Sequence, residues 1–397
     1  MNILFFNFNK PKTTMPFRRA FGKKEIKAIK DLIKYYNKIS EDPPYYGHFQ
    51  KLYEKNYVEK TSNTEGYARA VSTGTIACYL AVKACQLPIN SEVIMSPVTD
   101  SSSLFAIVES DLTPVIADCK PNSYNISLDS IKRLYNDKTS AIYLVHAGGD
   151  PADIEEIYNF VSEKNLVLIE DISQSPFSQV ITKNGAPKTV GTYGLTSACS
   201  TMYRKTLHTG SSGGIVYTRD SETYKRVLEF ADRGRPTWKK DYNSRDPGSA
   251  VTHSLNYNTD EISCAIGNAS LSRIDETINN RRYFKEKIYD LLAENKYFIL
   301  PDYKKLSSPF FQAIFVKDEF LEKKDIILDH LVSNNVALAR GFQCFVYDWK
   351  YTRENIKNAE FENSESNKAK CFNLFFNEKS SDKEFEILKN AFNSISL

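Results

Sequence analysis

Ser200-Thr201-Met202-Tyr203-Arg204-Lys205-Thr206-Leu207-His208-Thr209-Gly210-Ser211-Ser212-Gly213-Gly214 decides the reading of this chain. One lysine stands between a low-charge segment, Thr196–Ser200, and a Ser/Gly-rich turn that leads into the apolar run Ile215-Val216-Tyr217. A lysine at the edge of a buried sheet loses part of its hydration, which favours the neutral amine. A neutral lysine amine forms a Schiff base with an aldehyde cofactor. Taken singly, the same lysine also suits a solvated surface position.

Working outward, short apolar runs alternate with helical stretches from Tyr67 to Tyr217. The spacing predicts strands at Tyr67–Ser72, Glu92–Ser96, Pro114–Ala117, Ser140–Val145, Val167–Glu170, Thr196–Ser200 and Gly214–Thr218. Helices are predicted between them at Thr75–Cys85, Ser101–Glu109, Ser127–Tyr135 and Asp153–Glu163. Such alternation makes an α/β fold, a mostly parallel sheet covered by helices. Sites in these folds gather at the carboxyl ends of the strands. The pattern divides the chain into an N-terminal segment, 1–60, a large α/β unit, 61–280, and a smaller α+β unit, 281–397. An amphipathic helix at Phe21–Lys34 is expected to pack on the smaller unit, and the charged stretch Asn355–Lys370 reads as a mobile loop.

Composition narrows the function classes. The 397 residues hold 52 basic and 49 acidic side chains, a net charge of +3, too balanced to argue for nucleic acid or an anionic membrane. The seven cysteines are odd in number and scattered, with no Cys-x-x-Cys pair; free thiols in a reducing, cytoplasmic setting are expected rather than disulfides or a metal site. The opening Met1-Asn2-Ile3-Leu4-Phe5-Phe6 has no basic region before it, so no signal peptide is expected. No apolar run approaches the ~18 residues of a membrane span.

Two upstream motifs supply what an aldehyde cofactor needs. Ser72-Thr73-Gly74-Thr75 ends a strand, turns at a glycine and opens a helix with hydroxyl residues, which makes a phosphate site; an ordinary Ser/Thr helix cap fits it too. The residues match neither a Walker loop nor a Gly-x-Gly-x-x-Gly fingerprint. In Leu168-Ile169-Glu170-Asp171-Ile172-Ser173-Gln174, an acidic residue at the end of an apolar strand calls for a cation. The pyridinium nitrogen of pyridoxal 5'-phosphate is a suitable one, and a carboxylate there keeps it protonated. A helix cap or an ion pair is the plain alternative for Asp171.

Together these pieces resemble the DegT/StrS-type sugar aminotransferases, of the aspartate-aminotransferase fold (fold type I). The matching motifs are Ser-Thr-Gly-Thr at 72–75, Pro-Val-Ile-Ala-Asp at 114–118, Val-His-Ala-Gly-Gly-Asp-Pro-Ala-Asp at 145–153 and Ile-Glu-Asp-Ile-Ser-Gln at 169–174. Ser200 to Lys205, Gly213-Gly214, Leu-Asn-Tyr-Asn-Thr-Asp-Glu-Ile at 255–262 and Phe-Asn-Leu-Phe-Phe-Asn-Glu-Lys-Ser-Ser-Asp at 372–382 follow in order. The resemblance implies that Lys205 forms the Schiff base, Asp171 pairs with the pyridine nitrogen and Gln174 contacts the ring substituents. It implies that Gly74, Thr75 and Ser200 bind the phosphate, and that Asn256 reaches it from the neighbouring subunit of a homodimer. The implied reaction is ping-pong transfer of an amino group, from a donor such as L-glutamate, to a keto or aldehyde sugar for polysaccharide or secondary-metabolite synthesis. A lysine rather than a histidine at 205 sets the chain apart from the family's 3-dehydratases.

The chain also departs from the family. Asp100 stands where an aromatic residue usually stacks on the cofactor; either another ring, such as Phe105, covers that face, or Asp100 serves substrate, or it caps Ser101-Ser102-Ser103. Pro176 replaces a common histidine and Asn258 a common arginine. Arg233 and Arg235 can grip an anionic group, and His146 and His208 are further substrate-binding candidates. A protein of the same fold that binds the cofactor without turnover, as a regulator or assembly partner, is the competing reading.

Overall fold

The computed structural model describes residues 14–18, 20–243, 245–356 and 360–397; the opening stretch, where no signal peptide was expected, lies outside the described residues. The chain begins with helices α1 (Lys23–Ile39) and α2 (His48–Ser62). Strand β1 (Tyr67–Val71), α3 (Gly74–Lys83), β2 (Glu92–Met95), α4 (Ser101–Val108) and β3 (Thr113–Ile116) follow. Next come α5 (Leu128–Leu134), β4 (Thr139–Val145), α6 (Ile154–Glu163) and β5 (Val167–Asp171). A hairpin, β6 (Gln179–Ile181) with β7 (Pro187–Thr189), precedes β8 (Thr196–Ser200) and β9 (Gly214–Thr218). Helices α7 (Ser221–Ala231), α8 (Glu261–Leu271) and α9 (Ile274–Leu292) lead to the second sheet. That part holds β10 (Phe298–Ile299), β11 (Gln312–Val316), α10 (Lys324–Ser333), β12 (Leu338–Ala339), α11 (Lys350–Asn355), α12 (Glu362–Lys370), β13 (Cys371–Leu374) and α13 (Asp382–Asn393).

The large sheet has the order β1-β9-β8-β5-β4-β2-β3. Strands β3, β2, β4, β5 and β8 are parallel, while β9 runs against both β8 and β1. All but β9 therefore end on one margin. Both faces are covered, so the strands read as near-continuous apolar runs: Val93, Ile94 and Met95 of β2 and Ile142, Tyr143 and Leu144 of β4 are fully buried. Each such aliphatic side chain contributes about 1.5–3 kcal/mol on leaving water, which fixes the margin as a rigid platform. The smaller sheet is antiparallel, in the order β10-β11-β13-β12.

The expected boundary at 280/281 falls inside α9. Its early residues Ile274 and Ile278 belong to the core of the large sheet, and Phe284, Ile288 and Leu292 to the core of the small one. Two expectations are corrected. Residues 14–18 do meet the small unit, with Thr14 bonded to Asn335 and Ala337. Helix α1 does not: Leu32 and Tyr36 pack on Ala265 of α8, and the Tyr36 hydroxyl donates to the buried Glu261. The stretch read as a loop at 355–370 contains α11's end and all of α12. Asp118 accepts from the amides of Asn363 and Ser364 at 2.9 and 2.8 Å, satisfying donors at the start of α12.

Candidate active site

The shared margin carries the predicted site residues of the large sheet: Gly74 and Thr75 after β1, Asp100 after β2, Asp171 at the end of β5, and Ser200 with Lys205 after β8. Strand β9 enters between β1 and β8, pairing Gly214 with both Val71 and Ser200. This brings the start of α3 against Ser200. A Cβ on Gly74 would lie 2.4 Å from the Ser200 Cβ and 2.5 Å from its Oγ, so only glycine permits the approach. Thr73 is the N-cap, its Oγ1 accepting from the Ile76 amide at 3.0 Å. The Gly74 and Thr75 amides and the exposed Thr75 hydroxyl remain outside that cap, since first-turn amides have no intrahelical acceptor.

The lysine loop is braced from several directions. Thr201 and Tyr203 donate to Gly213 and Ser211, and Ser212 Oγ donates to the Ser72 carbonyl. Arg18 donates to the carbonyls of Tyr203 and Thr206 while its Nε pairs with Glu378 at 2.7 Å. Lys205 itself is half-buried. Its Nζ stands 5.0 Å from the centre of the Phe310 ring, and among the described residues no carboxylate pairs with it.

Asp171 is 5% exposed. One oxygen accepts from the Ser173 amide at 2.9 Å; the other accepts from Ser103 Oγ at 3.1 Å and faces Tyr143 Oη at 3.4 Å and Cys78 Sγ at 3.7 Å. All of these partners are neutral. A buried carboxylate without a cation is costly, so this environment suits a cationic ring nitrogen. The buried Cys199 thiol senses both key groups: burial first, then the Asp171 carboxylate, push it up to about 12, and the Lys205 ammonium opposes them. Gln174 is also in the cluster, with its Oε1 taken by the Gly148 amide at 2.7 Å; Gly148 in turn accepts from Phe310. A narrow glycine cradle for a phosphate, an amine and an uncompensated carboxylate thus fit pyridoxal 5'-phosphate.

Other expected residues stand elsewhere or do other work. Asp100 is an exposed helix cap, accepting from the Ser102 amide and hydroxyl at 3.1 and 2.6 Å. Phe105 packs edge-on against Tyr351. His146 is fully buried, with Nε2 3.2 Å from Glu170 and Nδ1 accepting from Ala152, so neither nitrogen is open to substrate. His208 is fully buried as well, 3.0 Å from Arg273 and beside Phe21; burial and Arg18 lower it to about 4. Both rings are closed off from solvent by burial. Arg233 Nε pairs with Asp232 at 2.8 Å, and Arg235 lies 4.0 Å from the same carboxylate. Arg233 also lies near the Tyr45 ring and bonds through its amide to Leu255, which places it beside exposed Asn256.

Sequence reasoning missed Ser103, Tyr143 and Ser173, the partners of Asp171 or of the Ser200 amide. Ser103 follows the cap Asp100 by three residues, a local signal that was available. It also missed Cys344, whose carbonyl accepts from Thr99. Burial, then Asp100, raise that thiol to about 11, against the pull of Lys205.

The sequence model of the DegT/DnrJ/EryC1/StrS aminotransferase family matches residues 32–392. A GDP-perosamine synthase of Escherichia coli O157:H7 is 31% identical over 254 residues, 63% of this chain and 66% of that protein. The GDP-perosamine synthase of Vibrio cholerae is 31% identical over 220 residues, 55% of this chain and 56% of that protein. The matches thus span just under two thirds and just over half of those relatives. Helicobacter pylori PseC, an aminotransferase of pseudoaminic acid biosynthesis, superposes with a TM-score of 0.84 at 21% identity, covering 96% of this chain and 98% of that one.

Proposed function

This chain belongs to the DegT/DnrJ/EryC1/StrS aminotransferase family, and on that premise we propose that it transfers an amino group from a donor such as L-glutamate to a keto or aldehyde sugar. Membership of the family makes pyridoxal 5'-phosphate the cofactor. When bound, it supplies an electron sink for cleavage of the donor's carbon–hydrogen bond. The observation that carries the reading is the buried Asp171, held among the described residues only by neutral donors, on the same margin as a Lys205 that no described carboxylate pairs with.

In this reading Asp171 keeps the ring nitrogen protonated, and Ser103 and Tyr143 fix its orientation. The amides of Gly74 and Thr75 and the hydroxyls of Thr75 and Ser200 hold the phosphate. Lys205 Nζ would hold the cofactor's aldehyde carbon, and as a free amine it would carry a proton as general acid and base. Asn256, and Arg233 beside it, complete the site across a homodimer, with Arg233 offered to an anionic group of the substrate. The names of the relatives support a nucleotide-linked sugar as acceptor. No helix among the described residues is long and apolar enough to cross a membrane, and a cytoplasmic setting accords with seven free cysteines.

The test is a pair of half-reactions. Cofactor-loaded protein mixed with L-glutamate should lose its yellow absorption, and a nucleotide-linked keto sugar should restore it. Lys205→Ala should do neither. A wild-type spectrum unmoved by every donor would instead support binding without turnover.

A further inference from the structure

The edge of β1 carries a buried arginine that the reaction does not use. Arg69 is 2% exposed, in the middle of a strand whose neighbours are alanines. Its Nη2 donates to Asn258 Oδ1 at 2.6 Å, its guanidinium lies over the Tyr46 ring at 4.5 Å, and Glu54 is 3.8 Å from Nη1. Among the described residues, Nε and Nη1 have no hydrogen-bond partner. Glu54 is a weak counterion: burial raises its carboxyl to about 7, although Arg69 opposes the rise.

Asn258 passes this hold onward. The segment 256–258 docks on the end of β1, with Asn258 bridging Val71 and the Tyr257 carbonyl accepting from Ser72. Asn258 donates through both its amide and its Nδ2 to Asn256 Oδ1, at 3.2 and 2.9 Å. With the oxygen so engaged, the Asn256 side chain presents Nδ2, whose sole partner among the described residues is Tyr45 Oη at 3.5 Å, the outer limit of a hydrogen bond. An asparagine whose amide is locked donor-outward is set for an anion.

We infer that Arg69 and Asn258 are positioning residues that lock Asn256 as a donor to the cofactor phosphate of the neighbouring subunit, the positive charge coming from β1 rather than from position 258. The inference rests on the reading of Asn256 as a phosphate ligand. A guanidinium behind the two amides polarises the chain of donors toward the anion, and it explains how a family arginine at 258 is dispensable here. Introducing arginine at 258 while Arg69 remains puts like charges within contact distance.

The experiment measures binding of pyridoxal 5'-phosphate and of pyridoxal, which lacks the phosphate, to the apoprotein by fluorescence quenching. Asn258→Ala should weaken the phosphorylated ligand about tenfold, the scale of one hydrogen bond to a charged group, and leave pyridoxal unchanged. Asn258→Arg should weaken it as well, and Arg69→Val with Asn258→Arg should restore it, Glu54 taking up a proton. Equal weakening of both ligands, or no rescue by the double variant, overturns the inference. Asn256→Ala separates the two layers: if it leaves phosphate discrimination intact, the reading of Asn256 fails; if it abolishes discrimination while Asn258→Ala does not, only the positioning role fails.

Discussion

The two faces of β5 carry adjacent buried carboxylates that are held in different ways. Glu170 is fully buried and saturated: it accepts from the amides of Gly191, Tyr193 and Gly194 at 2.6–2.8 Å and stands 3.2 Å from His146. Asp171, one residue on, faces the opposite side with one amide, one serine hydroxyl and a tyrosine at the edge of reach. Side chains alternate across a strand, so a one-residue step separates a carboxylate that closes the β5–β8 connection from one left open to a cation. Buried charge alone marks neither as functional; the completeness of its partners does.

That contrast can be broken most sharply by removing each carboxylate in turn. Glu170→Ala should orphan three amides, two of them buried, and cost about 3–5 kcal/mol of stability, read as a lower denaturant midpoint, while turnover per folded molecule changes little. Asp171→Asn should do the reverse, lowering kcat by roughly 10²–10³, the scale for losing a preorganised electrostatic partner, with the midpoint nearly unmoved. A stability loss from Asp171→Asn equal to that from Glu170→Ala would erase the distinction.

A third carboxylate, partly buried, sharpens it further. Burial pushes Glu378 up, but Arg281 and Arg18 outweigh burial and bring it down to about 2. A depressed carboxyl stabilises the fold above its unfolded value and loses that contribution as pH falls, here from about 4.5 towards 2. Glu378→Gln should remove about 2–3 kcal/mol at neutral pH and flatten that part of the acid-unfolding curve. Because Arg18 also braces the Lys205 loop, cofactor should leave the variant faster as well. The smallest effect belongs to Asp100→Ala: about 1 kcal/mol from a lost helix cap, with the half-reaction with glutamate unaltered.

Much of this was legible in the sequence because the relevant signals are local. Strand ends, the glycine at 74 and the Ser200-to-Lys205 spacing are set by short-range pattern, and the structure puts them on one margin. The errors share the opposite cause. His146 follows a strand and His208 follows Lys205 closely, yet their partners Glu170 and Arg273 lie 24 and 65 residues away. Helix α12 is polar, and its first amides are satisfied by Asp118 across 245 residues, beyond any local capping rule. Helix α1 is drawn to α8 by the buried Glu261, which also accepts from the Phe49 and Gln50 amides at the start of α2. Asp100 was the reverse case: Asp-Ser-Ser-Ser is a local cap motif, and the cap is formed.

The central claim is that one lysine on this margin bears the cofactor opposite Asp171. Borohydride reduction of the loaded protein, followed by proteolysis and mass mapping, tests it directly. A pyridoxyl group on Lys205 alone is the predicted result; a label on any other lysine, with Lys205 unmodified, would contradict the account.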